Sequence, residues 1–328
     1  MRNQEKIFVI GHKNPDTDSI CSAIAYADIK NRTSQKVKYI PKRAGQINEE
    51  TEYVLNRFGM QPPGYLSNIG TQIKDMDIRM SPEADKSMSL KNAWDLMQEN
   101  SIVSLPIREK DGTLEGLITI GDIAKTYMDT TDSYLLSRAR TQYQRIAETI
   151  GGKVIEGNAH GYFIQGKIMV ATANPDKMKE YVEENDMVIM GNREEDHLQA
   201  IEQNVSCIIV GMGIEVTEKV LKLAHEKDIV IISSPYDTFT ISRLINQSIP
   251  VKYIMKTDTL VTFNTEDFTD DIQEVMIKHR HRAFPVINKK GKCIGTISRR
   301  NFLDMHRKKV VLVDHNEKDQ AVDNIDKA

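Results

Sequence analysis

Residues 11–20, GHKNPDTDSI, hold the densest chemistry of the chain: His12, Asp16 and Asp18 close together, in a loop stiffened by Pro15. One imidazole and two carboxylates at this spacing suit a hard or borderline divalent cation such as Mn2+, Co2+ or Mg2+. The loop follows KIFVIG at 6–11, an apolar run of the kind that forms a buried parallel strand. The cluster therefore stands at the carboxyl end of a strand, where open α/β sheets place their sites. Asp16 and Asp18 also precede a helical pattern and can cap its positive end. That reading accounts for the carboxylates and leaves His12 unexplained. A second feature, LVDHNE at 312–317, ends another apolar strand (309–314) with Asp314. A carboxylate there can bridge two metal ions or serve as an ordinary turn residue.

The elements that must position these groups follow a β-loop-α-β-α order. Ile20, Ala23, Ile24 and Ala27 recur at helical spacing over 17–31, a short strand follows at 37–40, and an amphipathic helix is expected at about 49–58. The order predicts an α/β domain with a parallel sheet. Its third strand, 309–314, lies far along the chain, so about 71–306 reads as an insertion into it.

Within the insertion is a repeat. SLPIREKDGTLEGLITIGDI (104–123) aligns without a gap on AFPVINKKGKCIGTISRRNF (283–302). Pro106 matches Pro285, Gly112 matches Gly291, Gly116 matches Gly295 and Thr119 matches Ser298, all at an offset of 179, which Met97 and Met276 share upstream. Each copy predicts helix, strand, glycine turn, strand, helix over about 55 residues. A unit that small is marginal alone, so two copies are expected to share a core. The stretch between them, about 130–246, predicts a self-contained α/β unit. Its helices are expected at 132–150, 194–203 and 216–227, and its strands within YFIQGKIMVAT, VIMG, CIIVG and IVIIS.

Composition narrows the function. The chain has 328 residues, a formal charge of −3 and 28 % charged residues, so several compact units are expected and no field is aimed at nucleic acid or an anionic membrane. Cys21, Cys207 and Cys293 are isolated in apolar runs and read as small buried residues of a reducing compartment. With no apolar signal core and no long apolar run, the expected location is cytoplasmic.

GHKNPDTDSICSAIAYA and LVDHNE together resemble the first two motifs of the DHH phosphoesterases, in the form found in family II inorganic pyrophosphatases. The resemblance implies that His12 and Asp16 hold one metal ion, that Asp18 helps hold a second, and that Asp314 bridges both. It implies two-metal hydrolysis of pyrophosphate to two phosphates. The family pattern continues with an Asp-His-His motif containing the general-acid histidine, a further Asp ligand and a domain whose Lys and Arg residues clamp phosphate. None of these occurs before Ala328, so the sequence is expected to be a fragment with an incomplete active site.

The repeats resemble CBS domains (about 73–128 and 251–306), which pack in tandem and bind adenosyl ligands. A hydroxyl and a carboxylate then meet the ribose. The matching residues are Thr119 and Asp122 in the first copy and Ser298 and Asn301 in the second, with Asn301 giving up the charge. Lys278, Arg280, His281, Arg282, Arg299 and Arg300 flank the second copy. Arg282 and Arg299 are the candidates for nucleotide phosphate, against a plain solvated basic face. Trp94 is expected in the core. The middle stretch is similar to DRTGG domains, with Asn192-Arg193 and Gly211-Met212-Gly213 in place of the clearer signature.

The resulting domain plan is 1–70 and 307–328 for the DHH-type domain, 71–129 and 247–306 for the CBS copies, and 130–246 for the DRTGG-like domain. The expected ligands are two divalent ions, pyrophosphate, and AMP, ADP, ATP or a related adenine nucleotide, with no nucleic acid or membrane partner. A homodimer through the CBS copies is expected. The alternative from another class is a non-catalytic adenine-nucleotide sensor. Another DHH phosphodiesterase is disfavoured by the insert and by the lack of a basic track.

Overall fold

The computed structural model describes residues 5–303 and 309–313, apart from 13, 35, 67–69, 129–131, 172–174, 259 and 280. The opening segment forms β1 (Glu5–Ile10), α1 (Thr17–Thr33), β2 (Val37–Arg43), α2 (Glu49–Arg57) and the short β3 (Gly64–Tyr65). The first repeat gives β4 (Arg79–Met80), α3 (Leu90–Glu99), β5 (Ser104–Arg108), β6 (Leu114–Thr119) and α4 (Ile120–Met128). The middle stretch runs α5 (Leu135–Arg138), β7 (Thr141–Gln142), α6 (Tyr143–Thr149), β8 (Lys153–Glu156), β9 (Tyr162–Phe163) and β10 (Ile168–Val170). It continues through α7 (Pro175–Tyr181), β11 (Met187–Met190), α8 (Glu194–Glu202), β12 (Cys207–Val210), α9 (Glu218–Glu226), β13 (Val230–Ser233) and α10 (Thr238–Leu244). The second repeat supplies β14 (Phe263–Asn264), α11 (Thr269–Lys278), β15 (Phe284–Ile287), β16 (Cys293–Ile297) and α12 (Arg300–Leu303), and β17 (Lys309–Leu312) follows.

The chain divides into two compact units. One comprises Met1–Ile78, Phe263–His281 and Ile297–Ala328, the other Arg79–Thr262 and Arg282–Thr296.

In the first unit the described strands form a parallel sheet in the order β17-β1-β2-β3. The late strand β17 lies beside β1 in register from Ile7↔Lys309 to Ile10↔Leu312, as the insertion reading requires. Val9, Ala23 and Ala27 form the contact between sheet and α1. Gly11 makes that contact possible: a Cβ there would lie 1.8 Å from Ser19 Oγ and 3.1 Å from the Ser19 carbonyl oxygen. The start of the second repeat is tied to the linker of this unit, with Gln72 Nε2 donating to the Glu266 carbonyl and Lys74 paired to Glu266 at 2.8 Å.

In the second unit β10, β11, β12 and β13 are parallel and β8 closes the far edge antiparallel to β13. Alternation divides the strands between two cores. Met187, Ile189, Cys207 and Ile209 join a core with Met97, Leu105, Ile107 and Ile118 of the first repeat, so that repeat and the middle sheet share one interior. Val188, Met190, Ile208 and Val210 face a second core under α8 and α9. The repeats exchange their first strands. Arg79 and Met80 pair with Thr296 and Gly295 of the second copy, while Lys256 pairs with Leu117 of the first. Thr113 and Lys292, equivalent under the offset of 179, pair with each other, which marks a local pseudo-twofold axis.

Four expectations need correction. The helix expected over 132–150 breaks into α5, β7 and α6, because Arg140 turns into the left-handed region at φ 52° and Thr141 Oγ1 donates to the Leu136 carbonyl. YFIQGKIMVAT splits into β9 and β10 at Gly166 (φ 95°), where a Cβ would meet the Asn185 carbonyl oxygen at 2.1 Å. Trp94 is 37 % exposed and does not fill the core, and Cys21 is half-buried while Cys207 and Cys293 are buried.

Candidate functional site

His12, Asp16 and Asp18 arrive on the turn between β1 and α1, at the carboxyl edge of the parallel sheet. Asp16 is the N-cap of α1, its Oδ1 accepting from the Ser19 N–H at 2.8 Å. The same oxygen lies 3.4 Å from His12 Nε2. Capping and the pairing with His12 thus coexist on one carboxylate. His12 is buried, and its Nδ1, like Ser19 Oγ, finds no hydrogen-bond partner among the described residues. Asp18 is in the first turn of the helix and accepts from Ser22 Oγ at 3.4 Å. Asp314 lies outside the described residues. The residue before it in sequence, Val313, donates its N–H to the Ile10 carbonyl at 2.9 Å.

Imidazole nitrogen beside carboxylate oxygen is donor chemistry that fits a divalent cation. Among the described residues no group of three or more His, Cys, Asp or Glu side chains is arranged to hold one. Of the residues named from sequence, the described turn brings His12 and Asp16 into contact.

The nucleotide candidates fall in both units. In the second unit Thr119 ends β6, and its N–H and Oγ1 donate to Asp122 Oδ2 at 3.0 and 2.6 Å. Asp122 N–H returns a bond to Thr119 Oγ1 at 3.2 Å. Asp122 Oδ1 faces Lys256 Nζ at 3.2 Å, a partner that sequence reasoning missed. In the first unit Ser298 and Asn301 repeat the arrangement, Asn301 Oδ1 accepting from Ser298 N–H and Oγ at 2.8 Å each. Asn301 Nδ2, which has no counterpart in Asp122, donates to the Asp77 carbonyl at 2.7 Å. Arg299 commits Nη2 to the Met276 and His279 carbonyls at the end of α11. Arg282 and Arg300 are exposed, and Arg280 lies outside the described residues.

The middle sheet carries a motif that looks like a phosphate cradle and is not one. The N–H groups of Gly211, Met212 and Gly213 donate to the carbonyls of Met190, Tyr236 and Ser234. A Cβ at Gly211 would meet the Tyr236 carbonyl oxygen at 2.8 Å, so that glycine permits close backbone packing. Asn192 and Arg193 stand at the head of α8, where Arg193 is the N-cap residue without a side-chain cap bond.

Comparison with known proteins agrees with this layout. Family models for the CBS domain match residues 74–129 and 251–308, and the DRTGG domain model matches 145–248. Among curated proteins, a cobalt-dependent inorganic pyrophosphatase of Clostridium perfringens is 36 % identical over 99 % of this chain and 59 % of its own length. A probable manganese-dependent inorganic pyrophosphatase of Thermotoga maritima is 30 % identical over 100 % of this chain and 60 % of its own. The chain thus spans about three fifths of the length of these relatives. Among solved structures, the CBS and DRTGG domains of the regulatory region of Clostridium perfringens pyrophosphatase, complexed with the activator diadenosine tetraphosphate, match with a TM-score of 0.66 and 33 % identity. That match covers 70 % of this chain and 100 % of the relative. The strand-exchanged repeats and the α/β unit between them agree with these matches, and the chain belongs to the family II inorganic pyrophosphatases that carry CBS and DRTGG domains.

Proposed function

We propose that this chain is the metal-binding and nucleotide-sensing part of an inorganic pyrophosphatase that hydrolyses pyrophosphate to two phosphates under the control of adenine nucleotides. The observation that carries the reading is the 36 % identity to a cobalt-dependent pyrophosphatase, sustained over 99 % of the chain. On this reading His12 and Asp16 would hold one Mn2+ or Co2+ ion (Mg2+ being compatible with the same ligands), Asp18 would help hold a second, and Asp314 would serve both. The ions, when bound, supply Lewis acidity and offset the charge of pyrophosphate. The chain's own contribution is orientation. The α1 cap fixes the Asp16 carboxylate, and burial of His12 shields its imidazole from water.

Thr119 with Asp122 and Ser298 with Asn301 would meet nucleotide ribose. Arg282 and the uncommitted donors of Arg299 would meet phosphate. The ligands are AMP, ADP, ATP or a dinucleotide such as the activator bound to the Clostridium perfringens relative. The corresponding domain plan is a DHH-type domain at 1–70 and 307–328, CBS copies at 71–129 and 247–306, and a DRTGG-like domain at 130–246. We place the protein in the cytoplasm as a homodimer formed through the CBS copies. No described helix is long and apolar enough to cross a membrane.

Two titrations of the 328-residue chain test the halves of this reading. Calorimetry with AMP, ADP, ATP and diadenosine tetraphosphate should give heat with at least one of them, and silence with all four refutes the sensor. Electron paramagnetic resonance of added Mn2+ should show bound metal that is lost in Asp16→Asn. Equal binding by wild type and variant refutes the metal assignment.

A further inference from the structure

The contact between Lys256 and Asp122 joins the two repeats at the first-copy ribose site. Lys256 belongs to the second repeat and is held there by paired backbone bonds with Leu117, N to O at 2.9 Å in each direction. Its ammonium reaches Asp122 Oδ1 at 3.2 Å, with the carboxylate 17 % exposed and the lysine side chain 56 % exposed. Asp122 Oδ2 is already filled by Thr119 N–H and Oγ1. In the free chain, therefore, the acceptor oxygen that a ribose would need is the one Lys256 occupies. Strand exchange puts Arg79 at the equivalent position of the second copy, pairing with Thr296 as Lys256 pairs with Leu117. Arg79 instead donates to the Asn100 carbonyl, and Asn301 stands in place of Asp122. The carboxylate–ammonium pair is thus a property of the first copy.

We propose that Lys256 is the specificity-determining residue of the Thr119–Asp122 site, selecting nucleotides over nucleosides by partner exchange. This rests on the nucleotide reading above. A ribose cis-diol has two hydroxyls to place and takes both acceptor positions of Asp122 Oδ1 only by displacing Lys256. The displaced ammonium then needs a new anion within its reach, and a 5′-phosphate carried by the same ligand supplies it. A nucleoside breaks the ion pair and returns nothing to Lys256. Inorganic phosphate engages Lys256 and leaves Asp122 without its partner. Only a ligand with both groups restores two charge-assisted contacts for the one it breaks.

The test is calorimetry of the 328-residue chain with AMP and with adenosine, in a Ser298→Ala/Asn301→Ala background that silences the second copy. That background should bind AMP at least tenfold more tightly than adenosine. Adding Lys256→Met should weaken AMP by about ten- to a hundredfold, the range of a lost hydrogen bond to a charged group, and leave adenosine equal or tighter. Lys256→Arg should restore the preference. A merely structural lysine would weaken both ligands together, so the AMP-to-adenosine ratio is the informative readout. If circular dichroism shows the double background unfolded, Asn301→Ala alone serves. AMP affinity unchanged within twofold in Lys256→Met overturns the proposal. It is also overturned if wild type binds AMP and the background does not, an outcome that spares the nucleotide reading. Absence of AMP binding in wild type overturns both.

Discussion

Replacing Gly11 with alanine should loosen the candidate metal turn without touching any of its ligands. The added Cβ falls 1.8 Å from Ser19 Oγ, 2.9 Å from Ser19 Cβ and 3.1 Å from the Ser19 carbonyl oxygen. Rotating the hydroxyl relieves the first contact but neither of the others, so the start of α1 must back away from β1. Overpacking of this kind costs about 1–3 kcal/mol. The retreat also pulls Ser19 N–H off Asp16 Oδ1, a cap bond worth about 1 kcal/mol. Together these destabilise the docking of α1 by about 2–4 kcal/mol. Hydrogen exchange followed by mass spectrometry reads that loss locally. Amides of α1 should exchange about thirty- to several-hundredfold faster, whereas β12 and β13 of the other unit should not change. Ser19→Gly should recover part of the protection by removing two of the three collisions. Protection of α1 within threefold of wild type in Gly11→Ala would refute the packing argument.

Gly152→Ala should be more damaging, because its Cβ would sit 2.3 Å from the Ser233 carbonyl oxygen, which is main chain and cannot rotate away. A loss of about 3 kcal/mol is expected in urea unfolding of the second unit. Ser89→Ala removes the N-cap acceptor for Asn92 N–H at the start of α3 and should cost about 1 kcal/mol by the same measurement. His225 and Glu156, 3.0 Å apart, should give a pH signature. Their hydrogen bond lowers the Glu156 pKa and raises that of His225. The glutamate contributes above its unfolded value of about 4.3 and is lost as pH falls through its lowered folded value. The histidine contributes below about 6.5 and is lost as pH rises through its raised folded value. The difference in unfolding midpoint between wild type and Glu156→Gln should therefore be largest between those limits and shrink on both sides. A flat difference across pH would contradict the pair.

The first turn was legible because apolar KIFVIG and polar NPDTD change character at the strand end, and both periodicities survive in the fold. The repeat was legible because its turn glycines and prolines cannot drift without breaking the hairpins. Strand exchange between the copies was not legible. It rests on a two-residue strand, Arg79–Met80, and a single bridge at Lys256, too short to leave a pattern. For the same reason the sequence named Asp122 without Lys256. Arg140 concealed the break between α5 and α6, since an arginine with positive φ carries no signal comparable to glycine's. In the glycine loop at 211–213, which stands in place of the clearer DRTGG signature, only the carbonyl partners of its N–H groups reveal a backbone clasp.

One measurement addresses both metal-dependent hydrolysis and its control by nucleotide sensing. The chain is joined to the part of the Clostridium perfringens relative outside its matched 59 %. Phosphate release from pyrophosphate is then followed with Co2+ or Mn2+, with and without saturating adenine nucleotide. Release should require the metal, disappear in Asp16→Asn and change in rate when nucleotide is added. A folded fusion whose release is absent, independent of metal or indifferent to every adenine nucleotide would contradict the proposed function.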